Sequence, residues 1–149
     1  MAGQHFRAGV VAVVERGDGT VLAFERADAP GQWQLPQGGL LAGEEPADGA
    51  WRELGEETGL GPEQVGLDRE YDEWVAYEWP RRLWVERGGD IRVGQTQRWF
   101  FFQPLDDTVV AVPDGEEFVD SRWVTSEWLI AQVWGFRRAA YERVLGGRP

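Results

Sequence analysis

The chain has 149 residues and a net charge of −11, and all 15 of its cationic side chains are arginines. This length suits one domain with its own core, so we expect a single domain over residues 1–149. The absence of cysteine excludes disulfides, thiolate metal sites and cysteine nucleophiles. Without a long apolar run or a secretory signal, the chain is expected to be cytoplasmic, with no membrane partner. An acidic surface disfavours DNA and other extended nucleic acids, because cations supply the affinity for a phosphate backbone.

The first forty residues are predicted to form a β-hairpin followed by irregular chain. β-Branched residues predict a strand over 6–16, a turn over 17–19 and a returning strand over 20–26. After a short apolar stretch, Pro36-Gln37-Gly38-Gly39 is expected to be irregular because of its proline and glycines.

A helix is predicted over 46–58. Pro46 suits its first turn, two preceding glutamates favour its positive N-terminal end, and Gly59 is placed to cap its C-terminus. Gly49 and Gly55 weaken the helix by propensity, so we interpret them as points of close approach to a packed strand or a ligand.

The rest of the chain is predicted to alternate strands with connections and to end in helix. The predicted segments are strands over 70–77, 95–104 and 121–124, a long polar connection over 81–94, and one or two helices over 126–145 broken near Gly135. The aromatic run at 99–102 should be buried. Mixed strands with a few helices indicate an α/β sandwich.

Three glutamates within the predicted helix form the strongest chemical signal. Glu53, Glu56 and Glu57 stand at i, i+3 and i+4, so a helix places their carboxylates on one face. Like charges this close destabilise a helix unless a cation lies among them, and hard oxygen ligands suit Mg²⁺ or Mn²⁺. The alternative that the pattern leaves open is a solvated acidic face.

The spacing around these glutamates favours the metal site. The segment 38–60 reads Gly38, five residues, Glu44, seven residues, Arg52-Glu53-Leu54, one residue, Glu56-Glu57, one residue and Gly59-Leu60. This arrangement matches the Nudix box at every defining position, so the chain resembles the Nudix hydrolase family. The resemblance implies an α/β/α sandwich with a mixed sheet, in which the box forms a loop-helix-loop.

The resemblance also implies roles for the residues of the box. Glu53, Glu56 and Glu57 would be catalytic ligands of the divalent cations, and Arg52 would orient their carboxylates. Glu44 would be chiefly structural. The last two positions implied are glycines, Gly38 and Gly39, which would let the backbone approach the metal and the phosphates.

Segments outside the box are similar to one branch of the family, the bacterial RNA pyrophosphohydrolases and dinucleoside polyphosphate hydrolases. These segments are Trp33-Gln34-Leu35-Pro36-Gln37-Gly38-Gly39, Gly94-Gln95-Thr96-Gln97-Arg98-Trp99-Phe100, Glu117-Phe118, Arg122-Trp123-Val124 and Phe136-Arg137-Arg138. The likeness implies that Glu117 is a metal ligand or general base, the alternative being an ordinary acidic loop residue.

The same likeness implies four substrate contacts, with Arg26 as a further, weaker candidate. Arg7 and Arg98 would bind phosphates, the alternative being surface salt bridges. Phe136 would stack on a nucleobase, the alternative being a place in the core. Tyr77 is the weakest of the four.

Two departures from the branch bear on the substrate. Thr96 replaces a lysine, and Ala27 replaces an arginine that some members carry. Together with the charge of −11, these losses favour a compact dinucleotide such as diadenosine tetraphosphate over an RNA 5′ end. The oligomeric state is left open by the sequence.

The predicted reaction is metal-dependent hydrolysis of a phosphoanhydride bond in a nucleoside polyphosphate. Water would attack a phosphorus, activated by the cations or by Glu117. One alternative is a Nudix hydrolase of a nucleotide-sugar or an oxidised nucleoside triphosphate. Another is a non-catalytic nucleotide-binding regulator, which the complete set of helix glutamates disfavours. A purely structural domain has only the nine tryptophans in its favour.

Overall fold

A computed structural model of the protein describes residues 3–147, in which the chain forms nine strands, three α-helices and one 3₁₀ helix. The strands are β1 (Gln4–Val14), β2 (Val21–Arg26), β3 (Trp33–Gln34), β4 (Gln37–Gly39), β5 (Val65–Glu70), β6 (Val75–Glu78), β7 (Val85–Arg87), β8 (Asp90–Pro104) and β9 (Phe118–Val124). The helices are α1 (Pro46–Thr58), α2 (Ser126–Gln132) and α3 (Gly135–Leu145), and the 3₁₀ helix is Arg81–Leu83. Residues 1–2 and 148–149 lie outside the described part, and the single domain over 1–149 stays a prediction.

The strands form a mixed six-stranded sheet and a smaller antiparallel sheet. In the larger sheet the order is β4-β1-β8-β5, with β6 and β7 also pairing with β8. β1 and β8 run parallel from the pair Gln4 and Ile91 to the pair Val14 and Phe102, and the other pairs are antiparallel. The smaller sheet has the order β3-β2-β9.

β1 lies between two helical layers. Val11 and Val13 belong to the core that includes buried residues of α2 and α3. On the opposite face, Val10, Ala12 and Val14 belong to the core that includes buried residues of α1. A strand buried on both faces is expected to be a continuous apolar run, as it is here. The α/β/α sandwich with a mixed sheet is therefore confirmed.

The aromatic run of β8 is buried, as predicted, and connects both layers to the sheet. Trp99 meets Tyr141 of α3 edge to face at 5.1 Å, and Phe102 meets Trp51 of α1 at 4.7 Å. Such pairs add to the stabilisation that comes from burial alone. The same strand, β8, has polar residues, among them Gln95 and Gln97, before its aromatic run.

Helix α1 has the bounds that the sequence predicts. Pro46 occupies its first turn, and Gly59 ends it in the left-handed conformation with φ 71°. The Gly59 N–H donates to the carbonyl of Gly55 at 3.0 Å, which satisfies one carbonyl of the last turn. The helix therefore carries Glu53, Glu56 and Glu57 on its last two turns.

The predicted hairpin is wrong, because its two strands belong to different sheets. A turn does join β1 to β2, but only the bridge between Glu15 and Val21 pairs them. β1 instead pairs with β4 on one side and β8 on the other. β4 in turn corrects the irregular segment predicted at 36–39, since Gln37–Gly39 pairs with β1.

Two further expectations for the middle of the chain are corrected. The single strand predicted over 70–77 is two strands, β5 and β6, which both pair with β8 and are separated by residues 71–74. The polar connection predicted over 81–94 contains the 3₁₀ helix and a hairpin of β7 with the start of β8. The final helical segment is broken next to Gly135 as predicted. No helix within residues 3–147 is long and apolar enough to cross a membrane.

Candidate active site

A cleft of about 310 Å³ brings together residues from β1, β2, β3, β4, α1, β8, α3 and the loop before β9. Its acidic side chains are Glu53, Glu57 and Glu117. Its basic side chains are Arg7, Arg26 and Arg137. Glutamines and the Gly38-Gly39 backbone complete the lining, so the cleft places carboxylates and guanidinium groups around one polar space.

Glu57 is the most deeply buried of the three carboxylates that line the cleft. It is 7% exposed, and its Oε2 accepts from the Gln37 N–H at 3.3 Å. Burial, together with the carboxylates of Glu53 and Glu117, raises the pKa of Glu57 to about 9. The site therefore concentrates more negative charge than its protein neighbours compensate.

The loop that carries Glu117 is held by Asp114. The Oδ1 atom of Asp114 accepts from the N–H groups of Glu116, Glu117 and Phe118 at 2.9–3.1 Å. The Glu117 carbonyl also accepts from the Ala27 N–H at 2.9 Å. These bonds fix the backbone of the loop beside the cleft, while the Glu117 carboxylate stays available to it.

Arg52 organises the outer part of the box. It donates to both carboxylate oxygens of Glu44 at 2.8 Å, to Glu53 at 2.6 Å and to the Gly39 carbonyl at 3.0 Å. The Arg52 guanidinium holds the pKa of Glu44 at about 2. The orienting role of Arg52 stays a prediction, and these contacts are of the kind it requires. Glu56 is 60% exposed, lies 3.5 Å from Arg52 and does not line the cleft.

The donor set fits a divalent cation in its chemistry. Hard carboxylate oxygens are the ligands that small divalent ions take, and a cation would relieve the crowding that raises the pKa of Glu57. Within residues 3–147, no three acidic or histidine side chains are already grouped as a metal site.

The basic wall is organised by a buried glutamine. Oε1 of Gln34, which is 2% exposed, accepts from both Arg26 and Arg137, at 2.9 and 2.5 Å. Arg26 also forms a bidentate pair with Asp28. Arg137 is only 8% exposed and forms no ion pair with any residue in the range 3–147. A buried guanidinium without a carboxylate partner is unusual and points to an anionic ligand.

The two glycines of the box lie against charged side chains. A Cβ at Gly38 would collide with the Glu53 carboxylate, and a Cβ at Gly39 would collide with the Arg7 guanidinium. A Cβ at either position would therefore displace the charged end of a side chain that lines the cleft.

We expect Gly38→Ala to lower turnover about 10²-fold, because it displaces the Glu53 carboxylate from the cleft. The matched control is Gly17→Ala, since a Cβ at Gly17 meets nothing within 4 Å. Initial rates and thermal melts of both variants check this. Normal turnover of a folded Gly38→Ala protein would contradict the placement of Glu53 in the site.

Three of the candidate substrate contacts lie outside the lining of this cleft. Arg98 pairs with Glu70 at 2.9 Å, as the salt-bridge alternative expects. Tyr77 is 8% exposed in the core, where its hydroxyl accepts from Arg137 at 3.4 Å. Phe136 lies 6.2 Å from the Tyr77 ring and borders a second cleft with Trp134. Their substrate contacts stay predictions.

Sequence reasoning gave no role to several residues that line the cleft. Gln34, Gln37, Gln95 and Arg137 are the clearest examples. All four lie in the segments that resemble the RNA pyrophosphohydrolase branch, and this resemblance was the one indication in the sequence of a role for them. Thr96 and Ala27 do not line the cleft, although each is next in the chain to a residue that does.

The chain is similar to known proteins over nearly its whole length. Residues 5–144 match the NUDIX domain. An RNA pyrophosphohydrolase of Cereibacter sphaeroides is 40% identical over 143 residues, covering 94% of this chain and 88% of the relative. An RNA pyrophosphohydrolase of Rhodospirillum rubrum is 36% identical over 146 residues, covering 97% and 87%.

Solved structures share the fold. The E. coli dihydroneopterin triphosphate pyrophosphohydrolase has a TM-score of 0.74 at 24% identity, covering 94% of this chain and 97% of that one. A C. elegans Ap4A hydrolase complex has a TM-score of 0.64 at 18% identity, covering 92% and 93%. The domain match and the relatives together show that the chain belongs to the Nudix family of hydrolases, which act on pyrophosphate bonds and generally use divalent metal ions.

Proposed function

We propose that the protein is a cytoplasmic, Mg²⁺- or Mn²⁺-dependent pyrophosphohydrolase that removes pyrophosphate from the 5′-triphosphate end of RNA. The observation that carries this proposal is the cleft itself, in which three carboxylates and three guanidinium groups share one polar space. Carboxylates without a cation would repel a polyphosphate, and arginines alone would bind it without activating water. The combination suits binding and hydrolysis of a phosphate chain.

The carboxylates of the box hold the cations. Glu53 and Glu57 line the cleft one helical turn apart, and Glu56 would join them only by turning away from Arg52, which lies 3.5 Å from it. Bound divalent ions neutralise phosphate charge and stabilise the leaving group. Arg52 keeps Glu53 in place by its hydrogen bond at 2.6 Å.

Glu117 is the general base of the proposed reaction. A water oxygen forms a bond to the attacked phosphorus, the anhydride P–O bond breaks, and the proton of the water passes to the Glu117 carboxylate. The leaving oxygen takes both electrons of the broken bond. The Asp114 hydrogen bonds fix the loop, which places the base without immobilising its side chain.

The three arginines bind the phosphates that are not attacked. Arg7 lies on the backbone of Gly39, and Arg26 and Arg137 are oriented by Gln34. Guanidinium groups suit this role because their forked donors match phosphate oxygens.

An RNA end is supported by the curated relatives, which are named RNA pyrophosphohydrolases. Ala27 and Thr96 supply no cation beside the cleft, so the phosphate contacts of an RNA end would depend on Arg7, Arg26 and Arg137. The second candidate is a dinucleoside polyphosphate, which the net charge of −11 favours because such a substrate needs no binding surface for a trailing chain.

The deciding experiment compares 5′-triphosphorylated RNA with diadenosine tetraphosphate at equal Mg²⁺ and ionic strength, with products identified. We expect RNA to give the higher kcat/KM and to release pyrophosphate, with affinity falling as salt is raised. A preference of ~10-fold or more for the dinucleotide would establish the second candidate instead. Inertness toward both substrates would overturn the proposal.

A further inference from the structure

A network of three glutamines lies at the floor of the cleft. Gln37 of β4 and Gln95 of β8 line the cleft, and Gln97 of β8 lies behind them with only 1% of its surface exposed. The Nε2 atom of Gln97 donates to Oε1 of Gln37 at 3.1 Å and to Oε1 of Gln95 at 2.9 Å. Both hydrogens of this one amide nitrogen therefore bond to the two glutamines that line the cleft.

This bonding decides which atoms the cleft presents. Because the carbonyl oxygens of Gln37 and Gln95 are bound to Gln97, the groups that remain for the cleft are their amide nitrogens. Neither nitrogen donates to any residue within 3–147. Two N–H donors suit phosphate oxygens, which only accept hydrogen bonds. The reverse orientation would place carbonyl oxygens against a polyanion and weaken its binding.

Packing alone does not account for Gln97. Its Oε1 atom is buried without a hydrogen-bond partner, which is unfavourable for folding. An apolar side chain of similar length would avoid this cost. The hydrogen bonds from its nitrogen to Gln37 and Gln95 therefore explain Gln97 better than its packing does.

We propose that Gln97 is a positioning residue that sets the hydrogen-bonding polarity of the cleft by holding Gln37 and Gln95 as donors. The inference rests on the proposed function, since donors are useful only toward a phosphate-bearing substrate. Gln97 itself does not touch the substrate. Its effect is transmitted through two hydrogen bonds and is therefore expected in substrate binding rather than in folding.

Two substitutions test this in kinetics. Gln97→Met keeps the length of the side chain and releases both glutamines, so we expect KM to rise ~10-fold with little change in kcat and an unchanged or higher melting temperature. Gln97→Glu offers only acceptors when ionised, which turns the two glutamines round, and KM should rise further, to ~10²-fold. The matched control is Gln103→Met, on the exposed part of the same strand. An unchanged KM in both Gln97 variants, or a loss of stability with kcat and KM intact, would overturn the inference.

A binding measurement separates this inference from the proposed function. Side-chain amide signals of Gln37 and Gln95 are followed by ¹H–¹⁵N NMR as inorganic tripolyphosphate is added as its Mg²⁺ complex, with Mg²⁺ alone as the reference and with Gln37→Met and Gln95→Met used for assignment. We expect both signals to shift in the unmodified protein and to lose that response in Gln97→Met. If the backbone signals of Gly38 and Gly39 shift while both glutamine amides do not, the inference fails and the proposed function stands. If none of these signals shifts, both fail.

Discussion

Glu57→Gln is expected to lower Mg²⁺-dependent hydrolysis by roughly 10³-fold or more while making the metal-free protein more stable at alkaline pH. The amide keeps the shape of the side chain and its oxygen can still accept from the Gln37 N–H, but it cannot serve as an anionic ligand. Rates at saturating substrate and Mg²⁺ measure the first effect. Denaturant unfolding in EDTA measures the second.

The second effect follows from the pKa of Glu57. Burial and the neighbouring carboxylates raise this pKa from 4.5 to about 9 in the folded protein. Between these values the folded state keeps a proton that the unfolded state releases, so the free energy of unfolding falls as pH rises from about 4.5 to about 9. The glutamine variant has no proton to release at this position, so its free energy of unfolding does not fall in this way. At about pH 8 it should therefore exceed the unmodified protein by on the order of 1–3 kcal/mol, and at about pH 5 by much less.

The matched control for stability is Glu56→Gln. Glu56 belongs to the same box but is 60% exposed, so its removal should leave the pH dependence of unfolding unchanged. If Glu57→Gln unfolds with the same pH dependence as the unmodified protein, the pKa of Glu57 is not raised by folding. If it keeps normal turnover, the cation ligands must be found elsewhere.

The sequence predicts best those features that depend on neighbouring residues. The bounds of α1 were predictable because Pro46 and Gly59 act on the backbone within one turn of themselves. The burial of Trp99 and its neighbours was predictable because four consecutive aromatic residues have no solvent-exposed alternative in a strand between two layers. The close approach expected at Gly49 holds, since a Cβ there would meet the Leu40 side chain at 2.6 Å. The one expected at Gly55 is wrong, since a Cβ there would meet only the Leu60 carbonyl oxygen, at an ordinary contact distance of 3.8 Å.

The pairing of strands was not predictable from such local signals. The turn between β1 and β2 does reverse the chain, but a turn does not decide which strand lies beside which. The parallel pairing of β1 with β8 joins residues about ninety positions apart, such as Gln4 and Ile91. That pairing places β1 in the larger sheet and leaves β2 to pair with β9. A hairpin inferred from the turn alone misses this competition.

The acidic and the basic residues of the site differ in the same way in how far the sequence predicts them. Spacing places Glu53 and Glu57 together because a helix fixes the geometry of residues four apart. The basic wall depends on contacts between distant segments, as when Arg137 meets Gln34 across 103 positions. Its position within α3 suggests an ordinary surface arginine. Only the fold shows that it is buried beside the carboxylates of the box.

Arg137→Met is expected to raise KM by ~10–100-fold with a smaller change in kcat, and to leave the melting temperature unchanged or higher. Arg137 is 8% exposed, and its partners within residues 3–147 are neutral: the Gln34 carbonyl, the Tyr77 hydroxyl and the rings of Trp134 and Phe136. Removing a buried charge that no carboxylate compensates relieves a desolvation cost, so the free protein loses little. The substrate, by contrast, loses a charge-assisted contact to its phosphates.

Two variants make this result specific. Arg137→Lys keeps the charge but not the forked donors, so it should recover part of the affinity but not all of it. Arg87→Met, on the exposed β7 strand, removes an arginine outside the cleft and should leave KM within ~2-fold at fixed ionic strength. A large fall in melting temperature with KM unchanged would show that Arg137 holds α3 to the sheet instead. A buried arginine that stabilises the complex more than the fold is what a phosphate-binding wall requires, because its countercharge arrives with the substrate.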